Sequence, residues 1–235
     1  MDVSVKLEQV TKKYGKKCAI HSLSVDFEKG KVYGVLGTNG SGKSTLLKLI
    51  TGLVFPTTGE VRILGENTGR KSISNVSYLT ELDMFYDNSS VEEVVKFMGS
   101  QFSDFDLSKA NLLVDELSLD RKAIMKQLSK GNRGRLKLVV TLARKSPIIL
   151  LDEPLSGLDP LVRESVITSL VKYVDFDHQT MIIATHELDE IETLVDEVLL
   201  MNEGNLIEKA TVESVQELGL SLNQWVKQTI RGKLA

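Results

Sequence analysis

Apolar and polar positions alternate with a period of two in the first part of the chain. The alternation runs over residues 3–7 and again over residues 23–27, and it predicts two β-strands with one buried face each. Residues 31–36 form a compact apolar run, and residues 59–65 form another short stretch that ends in glycine. We therefore expect a β-rich beginning.

The pattern changes to a helical period at about residue 83. Ser90 and Glu93 have the spacing of a capping box, and the apolar positions after them repeat every three or four residues. Similar patterns predict helices over residues 107–125 and 131–144. We expect these helices to form an insertion that spans residues 83–144.

Later in the chain, three apolar runs do not alternate: residues 148–151, 181–184 and 198–201. Unalternating strands separated by helical stretches are typical of a parallel sheet covered on both faces. We therefore predict a single α/β domain over residues 1–235, in which residues 1–82 and 145–235 form the core lobe around the helical insertion.

Composition places the chain among ordinary globular proteins, with 42% hydrophobic and 26% charged residues. The 29 Lys and Arg against 32 Asp and Glu give a net charge of −3, which argues against nucleic acid as a partner. The single cysteine, Cys18, excludes an internal disulfide and indicates either a reducing compartment or a chance thiol in the core. We find no signal peptide and no apolar run near the roughly 18 to 20 residues that cross a bilayer, so we expect a cytoplasmic protein.

The strongest chemical signal is a glycine-rich turn between an apolar strand and a helical stretch. It fits G-x-x-x-x-G-K-[ST] and consists of Gly37, Thr38, Asn39, Gly40, Ser41, Gly42, Lys43, Ser44 and Thr45. In such a turn the backbone N–H groups point at phosphate oxygens, and the helix N-terminus adds its positive dipole end. Lys43 brings a charge to the β- and γ-phosphates, and the Ser44 hydroxyl is placed to bind Mg²⁺. The turn therefore predicts a P-loop NTPase core that binds a nucleoside triphosphate.

Two carboxylates follow the apolar run of residues 148–151. Asp152 and Glu153 stand at the carboxyl end of this predicted strand, where ligands bind in open α/β sheets. Asp152 suits the metal ion, and Glu153 suits a general base or a group that orients water against the γ-phosphate. A strand that ends in solvated acids is common, so the pair alone is weak evidence for a catalytic site. Together with the phosphate-binding turn it is strong evidence.

With these two motifs in place, nearly the whole chain resembles the ATP-binding cassette (ABC) family. Further features carry the resemblance: Tyr14, Leu128-Ser129-Lys130-Gly131-Asn132 where the family has its L-S-G-G-Q signature, Ser156-Gly157-Leu158-Asp159 as the D-loop, and His186 as the switch histidine. The resemblance implies ATP as the nucleotide. It also implies a mixed, mainly parallel sheet with an N-terminal antiparallel part and an inserted helical subdomain.

The resemblance also assigns roles to individual residues. It makes Tyr14 the aromatic residue that stacks on adenine, with an ordinary tyrosine at a strand edge as the alternative. It makes His186 a donor to the γ-phosphate, with a polar surface residue as the alternative. Family members dock two cassettes head to tail, so Ser129 and the Gly131 amide are expected to meet the ATP of the other subunit.

The chain departs from the family pattern at two places. Lys130 replaces the first signature glycine and Asn132 replaces glutamine, which is compatible with a tolerated extra charge or with low turnover. Glu81 stands where the family has its Q-loop glutamine, and its carboxylate can also bind Mg²⁺. The alternative for Glu81 is a solvated loop acid.

Two apolar stretches are candidates for contacts. Tyr78, Met84, Phe85 and Tyr86 cluster where the helical insertion begins. Either they receive a short helix of a membrane subunit, as in transporters of this type, or they pack between the two lobes. The apolar stripe over residues 222–234 favours a tail helix that folds back on its own domain over one that contacts a membrane.

Together these features favour the ATP-hydrolysing subunit of a membrane transporter, resembling bacterial export systems for antibiotics and peptides. Two cassettes, identical or different, are expected to close around two ATP molecules and to drive separate transmembrane permease subunits from the inner face of the cell membrane. Two alternatives stay open. One is a soluble ABC ATPase that remodels nucleic acid or ribosomes, and the other is a regulatory subunit of low turnover.

Overall fold

The fold consists of two β-sheets with helices packed against them, seen here in a computed structural model. The structure describes residues 2–80, 82, 84–187 and 191–234, without the side chains of residues 70, 71, 233 and 234. The strands are β1 (Val3–Tyr14), β2 (Lys17–Glu28), β3 (Val32–Leu36), β4 (Thr58–Ile63), β5 (Glu66–Asn67), β6 (Val76–Leu79), β7 (Ile148–Asp152), β8 (Thr180–Thr185), β9 (Glu197–Asn202) and β10 (Asn205–Thr211). The helices are α1 (Lys43–Ile50), α2 (Arg70–Ile73), α3 (Val91–Gln101), α4 (Leu107–Glu116), α5 (Lys130–Leu142), α6 (Pro160–Tyr173), α7 (Val212–Glu217) and α8 (Leu222–Leu234).

The two sheets differ in strand direction. One sheet is antiparallel, with the strand order β2-β1-β4-β5. The other has the order β10-β9-β3-β8-β7-β6, and its strand pairs are parallel except for β9 with β10. The mainly parallel sheet and the antiparallel N-terminal part that the sequence predicts are confirmed.

The parallel sheet is buried on both faces because successive side chains enter two different cores. In β7, Ile148 and Leu150 pack in the core that contains α1 and the antiparallel sheet. Ile149 and Leu151 pack in the other core, together with side chains of α3 to α6. Each such side chain stabilises the fold by about 1.5–3 kcal/mol when it is fully buried. Burial on both faces explains why these runs do not alternate.

The helices between β6 and β7 begin with the predicted capping box. The Glu93 N–H donates to Ser90 Oγ over 3.2 Å, and the Ser90 N–H donates to the Glu93 carboxylate over 2.7 Å. Helices α3, α4 and α5 all lie within residues 83–144. The bounds of the insertion as a structural unit stay a prediction.

The predicted helix over residues 107–125 is wrong in its second half, because α4 ends at Glu116. Ser118 adopts the left-handed conformation, with φ of 52°. Its N–H donates to the carbonyl of Asp115, and the Leu119 N–H donates to that of Val114, as in a Schellman motif. Glycine usually occupies this left-handed position, so a serine there gives little warning of a helix end.

The C-terminal helix α8 folds back on its own domain, as expected. Leu222 and Trp225 are buried in the core that also contains α3 to α6, and Val226 and Ile230 pack partly buried against it. Within the described residues, no helix combines the length and the apolar character that a membrane span requires.

Candidate active site

The phosphate-binding turn joins β3 to α1 and depends on glycine at two positions. Gly37 and Gly42 have φ values of 153° and 109°, which residues with side chains rarely adopt. A Cβ at Gly37 would lie 2.3 Å from the carbonyl oxygen of Met201, and a Cβ at Gly42 would lie 2.8 Å from that of Ala19. Neighbouring backbone therefore closes around the turn so tightly that only glycine fits.

A cavity of about 290 Å³ lies over this turn. It is lined by Tyr14, Lys17, Ala19, Asn39, Gly40, Ser41, Gly42, Lys43, Ser44, Thr45 and Glu153. The side chain of Tyr14 is 46% exposed, and the Lys12 ammonium lies 5.0 Å from the centre of its ring. The structure thus brings Tyr14 and the phosphate-binding turn to one cavity, with the aromatic ring accessible to a ligand.

The ammonium of Lys43 is buried among oxygen atoms. Its Nζ donates to the carbonyl of Gly37 over 2.8 Å and to that of Thr38 over 3.4 Å. The same atom lies 3.4 Å from Oε1 of Glu153. Lys43 therefore connects the start of the turn to the carboxylate at the end of β7.

Asp152 is held by hydroxyl groups on both of its oxygens. Ser44 Oγ donates to Oδ1 over 3.0 Å, and the Tyr78 hydroxyl donates to Oδ2 over 3.0 Å. Burial raises the pKa of Asp152 above its ordinary value, although the two hydrogen bonds act against the shift. Ser44 and Asp152 are thus adjacent, as the sequence predicts for a shared metal ion.

Glu153 combines an unusual backbone with a well-connected carboxylate. Its φ of 49° is left-handed, a conformation that costs a non-glycine residue about 1–3 kcal/mol. Its Oε2 accepts from the Thr185 hydroxyl over 3.2 Å and lies 2.9 Å from Nδ1 of His186. The predicted catalytic residues Lys43, Glu153 and His186 therefore meet at the carboxyl ends of β7 and β8.

The segment that resembles the family signature lies at the start of α5. Ser129 caps this helix by accepting from the Asn132 N–H over 3.2 Å. Leu158 of the D-loop packs where Gly131 and Gly134 have no side chain, and the Lys130 ammonium lies against Gly157. Ser129 and Gly131 do not line the cavity over the phosphate-binding turn of their own chain. The signature segment and the D-loop instead form one continuous surface.

Several functional contacts are missing from the sequence-based prediction. Tyr78, which the sequence groups with the aromatic cluster, points to Asp152 instead, so that grouping is wrong. Thr185 stands one residue after Ala184, which pairs with Asp152 in the sheet register. The adjacency of β6, β7 and β8 is the signal that identifies both residues, and it is a property of strand order. Glu81 lies outside the described residues.

The remaining cluster residues form an apolar groove of about 620 Å³ beside α3. Its apolar lining consists of Met84, Phe85, Tyr86, Val94, Phe97, Met98 and Phe102. Phe85 packs against the core, whereas Met84, Tyr86 and Phe97 are more than half exposed. The packing interpretation therefore holds for Phe85, and docking of a membrane-subunit helix on the exposed side chains stays a prediction.

The donor set at Ser44 and Asp152 fits Mg²⁺. Magnesium is commonly held by one or two carboxylates together with substrate phosphates and waters. The described residues contain no group of three or more His, Cys, Asp or Glu side chains that could hold a metal ion by themselves. A hydroxyl and a single carboxylate beside a phosphate-binding turn provide the protein's share of such a site.

Comparison with known proteins gives the same family throughout. Residues 20–156 match the ABC transporter family. The chain is 29% identical to the bacitracin transport ATP-binding protein BcrA of Enterococcus faecalis, over 92% of this chain and 72% of BcrA. It is 30% identical to the lantibiotic transport ATP-binding protein SrtF of Streptococcus pyogenes, over 86% of this chain and 89% of SrtF.

A solved structure described as the ATP binding subunit of an ABC transporter has the same fold. It superposes with a TM-score of 0.86 at 20% identity, and the match covers 98% of this chain and 99% of the other. The family match includes both the phosphate-binding turn and the Asp152-Glu153 pair. The chain therefore belongs to the ABC transporter family and is one of its ATP-binding and ATP-hydrolysing subunits.

Proposed function

We propose that this chain pairs with a second cassette around two ATP molecules and drives export through separate transmembrane permease subunits. The observation that carries this proposal is the convergence of Lys43, Ser44, Asp152, Glu153 and His186 at one edge of the parallel sheet. Phosphoryl transfer depends mainly on positioning and on charge stabilisation, and these residue types supply both. The relatives named for bacitracin and lantibiotic transport support export.

In this proposal each residue has a separate task. Tyr14 stacks on the adenine, and the amides of residues 37–45 with Lys43 hold the β- and γ-phosphates. Glu153 accepts a proton from the attacking water, and His186 orients Glu153 and donates to the γ-phosphate. Ser44 and Asp152 hold Mg²⁺, which supplies charge neutralisation when it is bound. Glu81 is proposed as a further metal contact on the resemblance alone.

The second cassette supplies the other half of each site. Ser129, the amide of Gly131 and Lys130 lie on the surface shared with the D-loop, outside their own chain's nucleotide cavity. A helix start with exposed amides attracts an anion, so this surface is suited to a phosphate that a partner presents. The partner is a second copy or a different cassette chain.

The groove beside α3 is proposed as the contact with the permease. Its exposed Met84, Tyr86 and Phe97 match the way an amphipathic helix lays its apolar face into a groove. Docking there places the chain on the cytoplasmic face of the membrane through its partner. Nucleic acid has no role in this proposal.

The test is a Glu153→Gln variant of the purified chain. We expect ATP hydrolysis to fall at least about 100-fold, because the general base is lost, while ATP binding persists. Without hydrolysis the nucleotide-bound dimer accumulates and elutes earlier from a sizing column with ATP than with ADP.

The Lys43→Ala variant is the matched comparison, because it removes a phosphate contact and leaves the base in place. We expect its affinity for ATP to fall first, measured by titration with a fluorescent ATP analogue. Unchanged turnover in Glu153→Gln contradicts the assigned base. A low turnover of the unmodified chain that Glu153→Gln does not reduce favours the regulatory alternative.

A further inference from the structure

An ion pair connects helix α6 with the segment that carries His186. One terminal nitrogen of Arg163 lies 3.2 Å from Oε1 of Glu187. The two side chains are only 27% and 23% exposed. Salt screens partly buried pairs less than fully exposed ones, so this contact is more than a loose surface pair.

Arg163 also holds the D-loop, which is residues 156–159. Its Nε donates to the carbonyl oxygen of Leu158 over 2.9 Å. The neighbouring Asp159 caps α6 by accepting from the Val162 N–H over 3.1 Å. Because the guanidinium is planar and its donors have fixed directions, the contacts with Leu158 and Glu187 fix the D-loop relative to Glu187.

Glu187 is tied to the catalytic carboxylate from the other side. Its N–H donates to Thr185 Oγ1 over 3.0 Å, and the Thr185 hydroxyl donates to Oε2 of Glu153 over 3.2 Å. His186 lies between Thr185 and Glu187 in the sequence and contacts the same oxygen of Glu153. A displacement of Glu187 therefore shifts the groups that orient Glu153.

The Ser156 N–H of the D-loop donates to the carbonyl of Glu153 over 3.3 Å. The contacts therefore close a ring from Glu153 through the D-loop, Arg163, Glu187 and Thr185 back to Glu153. We propose that Arg163 and Glu187 are a positioning pair that holds the D-loop and His186 in one arrangement around Glu153. The inference rests on the proposed function, in which the D-loop belongs to the surface that faces the second cassette. When the second cassette contacts the D-loop, the resulting displacement is transmitted through Arg163 and Glu187 to His186.

The test is a charge exchange across the pair. Arg163→Glu and Glu187→Arg are each expected to lower kcat about tenfold, because small misplacements of catalytic groups have effects of this order. The double exchange restores an attractive pair and is expected to recover at least about threefold over either single variant, a coupling that independent sites do not show. The KM for ATP and the binding of a fluorescent ATP analogue to the single chain are expected to stay within about twofold, since neither residue touches the phosphate-binding turn.

The ion pair of Lys172 and Glu116 is the matched control, because Lys172 lies at the other end of the same helix α6. Lys172→Gln is expected to leave kcat unchanged. Arg163→Gln and Arg163→Lys guard against misfolding of the reversed-charge variants, and melting temperatures are measured for all. The kcat of Arg163→Gln is expected to fall as much as that of Arg163→Glu. Arg163→Lys is expected to retain an intermediate kcat.

Two results overturn the inference. One is a kcat of folded Arg163→Gln equal to that of the unmodified chain. The other is a folded double exchange no more active than the product of the single effects. The turnover of Glu153→Gln is measured alongside, so that failure of this inference can be distinguished from failure of the proposed function. If turnover depends on Glu153 but not on Arg163 and Glu187, only this inference is wrong. If turnover does not depend on Glu153, both the proposed function and this inference are wrong.

Discussion

The Tyr78 hydroxyl holds one oxygen of Asp152 while the Ser44 hydroxyl holds the other. In the proposed function Ser44 and Asp152 contact the metal ion directly, and Tyr78 acts on the metal only through Asp152. Groups of this second kind orient the metal ligand and set its basicity, and their loss commonly reduces metal affinity or activity about 10–100-fold. At the scale of single residues, Tyr78 therefore belongs to the site as much as the motif residues do.

We predict that Tyr78→Phe raises the Mg²⁺ concentration for half-maximal ATP hydrolysis about tenfold, because Asp152 loses the donor that orients it. Melting temperature is expected to change little, since the ring remains in place. Tyr86→Phe is the control, because it removes a hydroxyl from an exposed tyrosine of the groove. A Mg²⁺ dependence of Tyr78→Phe equal to that of the control contradicts the prediction.

The residues that the sequence identifies at this site all belong to local motifs. Lys43 and Ser44 stand in one continuous turn, and Asp152 and Glu153 directly follow an apolar run, so spacing alone identifies them. Tyr78 reaches Asp152 from 74 residues away, through the pairing of β6 with β7. Contacts of this kind depend on strand order, which a single sequence does not encode locally.

At the scale of elements, the sequence predicts strands and helix starts better than helix ends. The capping box of Ser90 and Glu93 marks the start of α3, because its two residue types make specific contacts with the backbone. The end of α4 depends on Ser118 in a left-handed conformation that serine seldom adopts. Propensity alone therefore extends the predicted helix past its true end.

One buried carboxylate forms ion pairs that connect β3, β9 and β10 of the parallel sheet. Glu197 at the start of β9 pairs with Lys31 beside β3 over 2.5 Å and with Lys209 of β10 over 2.8 Å. Burial alone would raise the pKa of Glu197, but the hydrogen bonds from Lys209 and Lys31 bring it below the ordinary value of 4.5. A lowered carboxyl pKa stabilises the fold above the unfolded pKa, and this stability is lost as the pH falls through the folded pKa.

We predict that Glu197→Gln lowers the free energy of unfolding at pH 7 by about 1–2 kcal/mol, because Lys209 loses its charged partner and Lys31 keeps only Glu28. The difference from the unmodified chain is expected to shrink as the pH falls through the folded pKa of Glu197, because the carboxyl group loses its charge there. Urea unfolding at a series of pH values from 7 downward measures this. The control is Glu217→Gln, at an exposed position of α7. A deficit that does not change with pH down to the onset of acid unfolding contradicts the ionic origin of the effect.

At the scale of the whole molecule, two surfaces are proposed for partners. In the proposed function the signature segment with the D-loop faces the second cassette, and the groove beside α3 faces the permease. The groove gathers several large exposed apolar side chains, with Tyr86 78% exposed, in a chain whose other apolar residues mostly enter one of two cores. Gathered apolar exposure of this kind is typical of an interaction site.

We predict that Phe97→Asp abolishes recruitment of the chain to membranes that contain its permease, because a charge is placed in an apolar contact. ATP hydrolysis and melting temperature of the isolated chain are expected to be retained, since Phe97 is exposed. Leu218→Asp, at another exposed apolar position directly after α7, is expected to leave recruitment intact. Co-sedimentation with membranes measures both variants, and equal recruitment contradicts the assignment of the groove.

The left-handed backbone of Glu153 sets two selective pressures against each other at one position. A glycine there relaxes the main chain but lacks the carboxylate that accepts a proton from water in the proposed function. A substitution of Glu153 that stabilises the fold therefore lowers ATP hydrolysis. A variant selected for thermal stability alone can lose its activity in this way. Position 153 is where such a screen would first do harm.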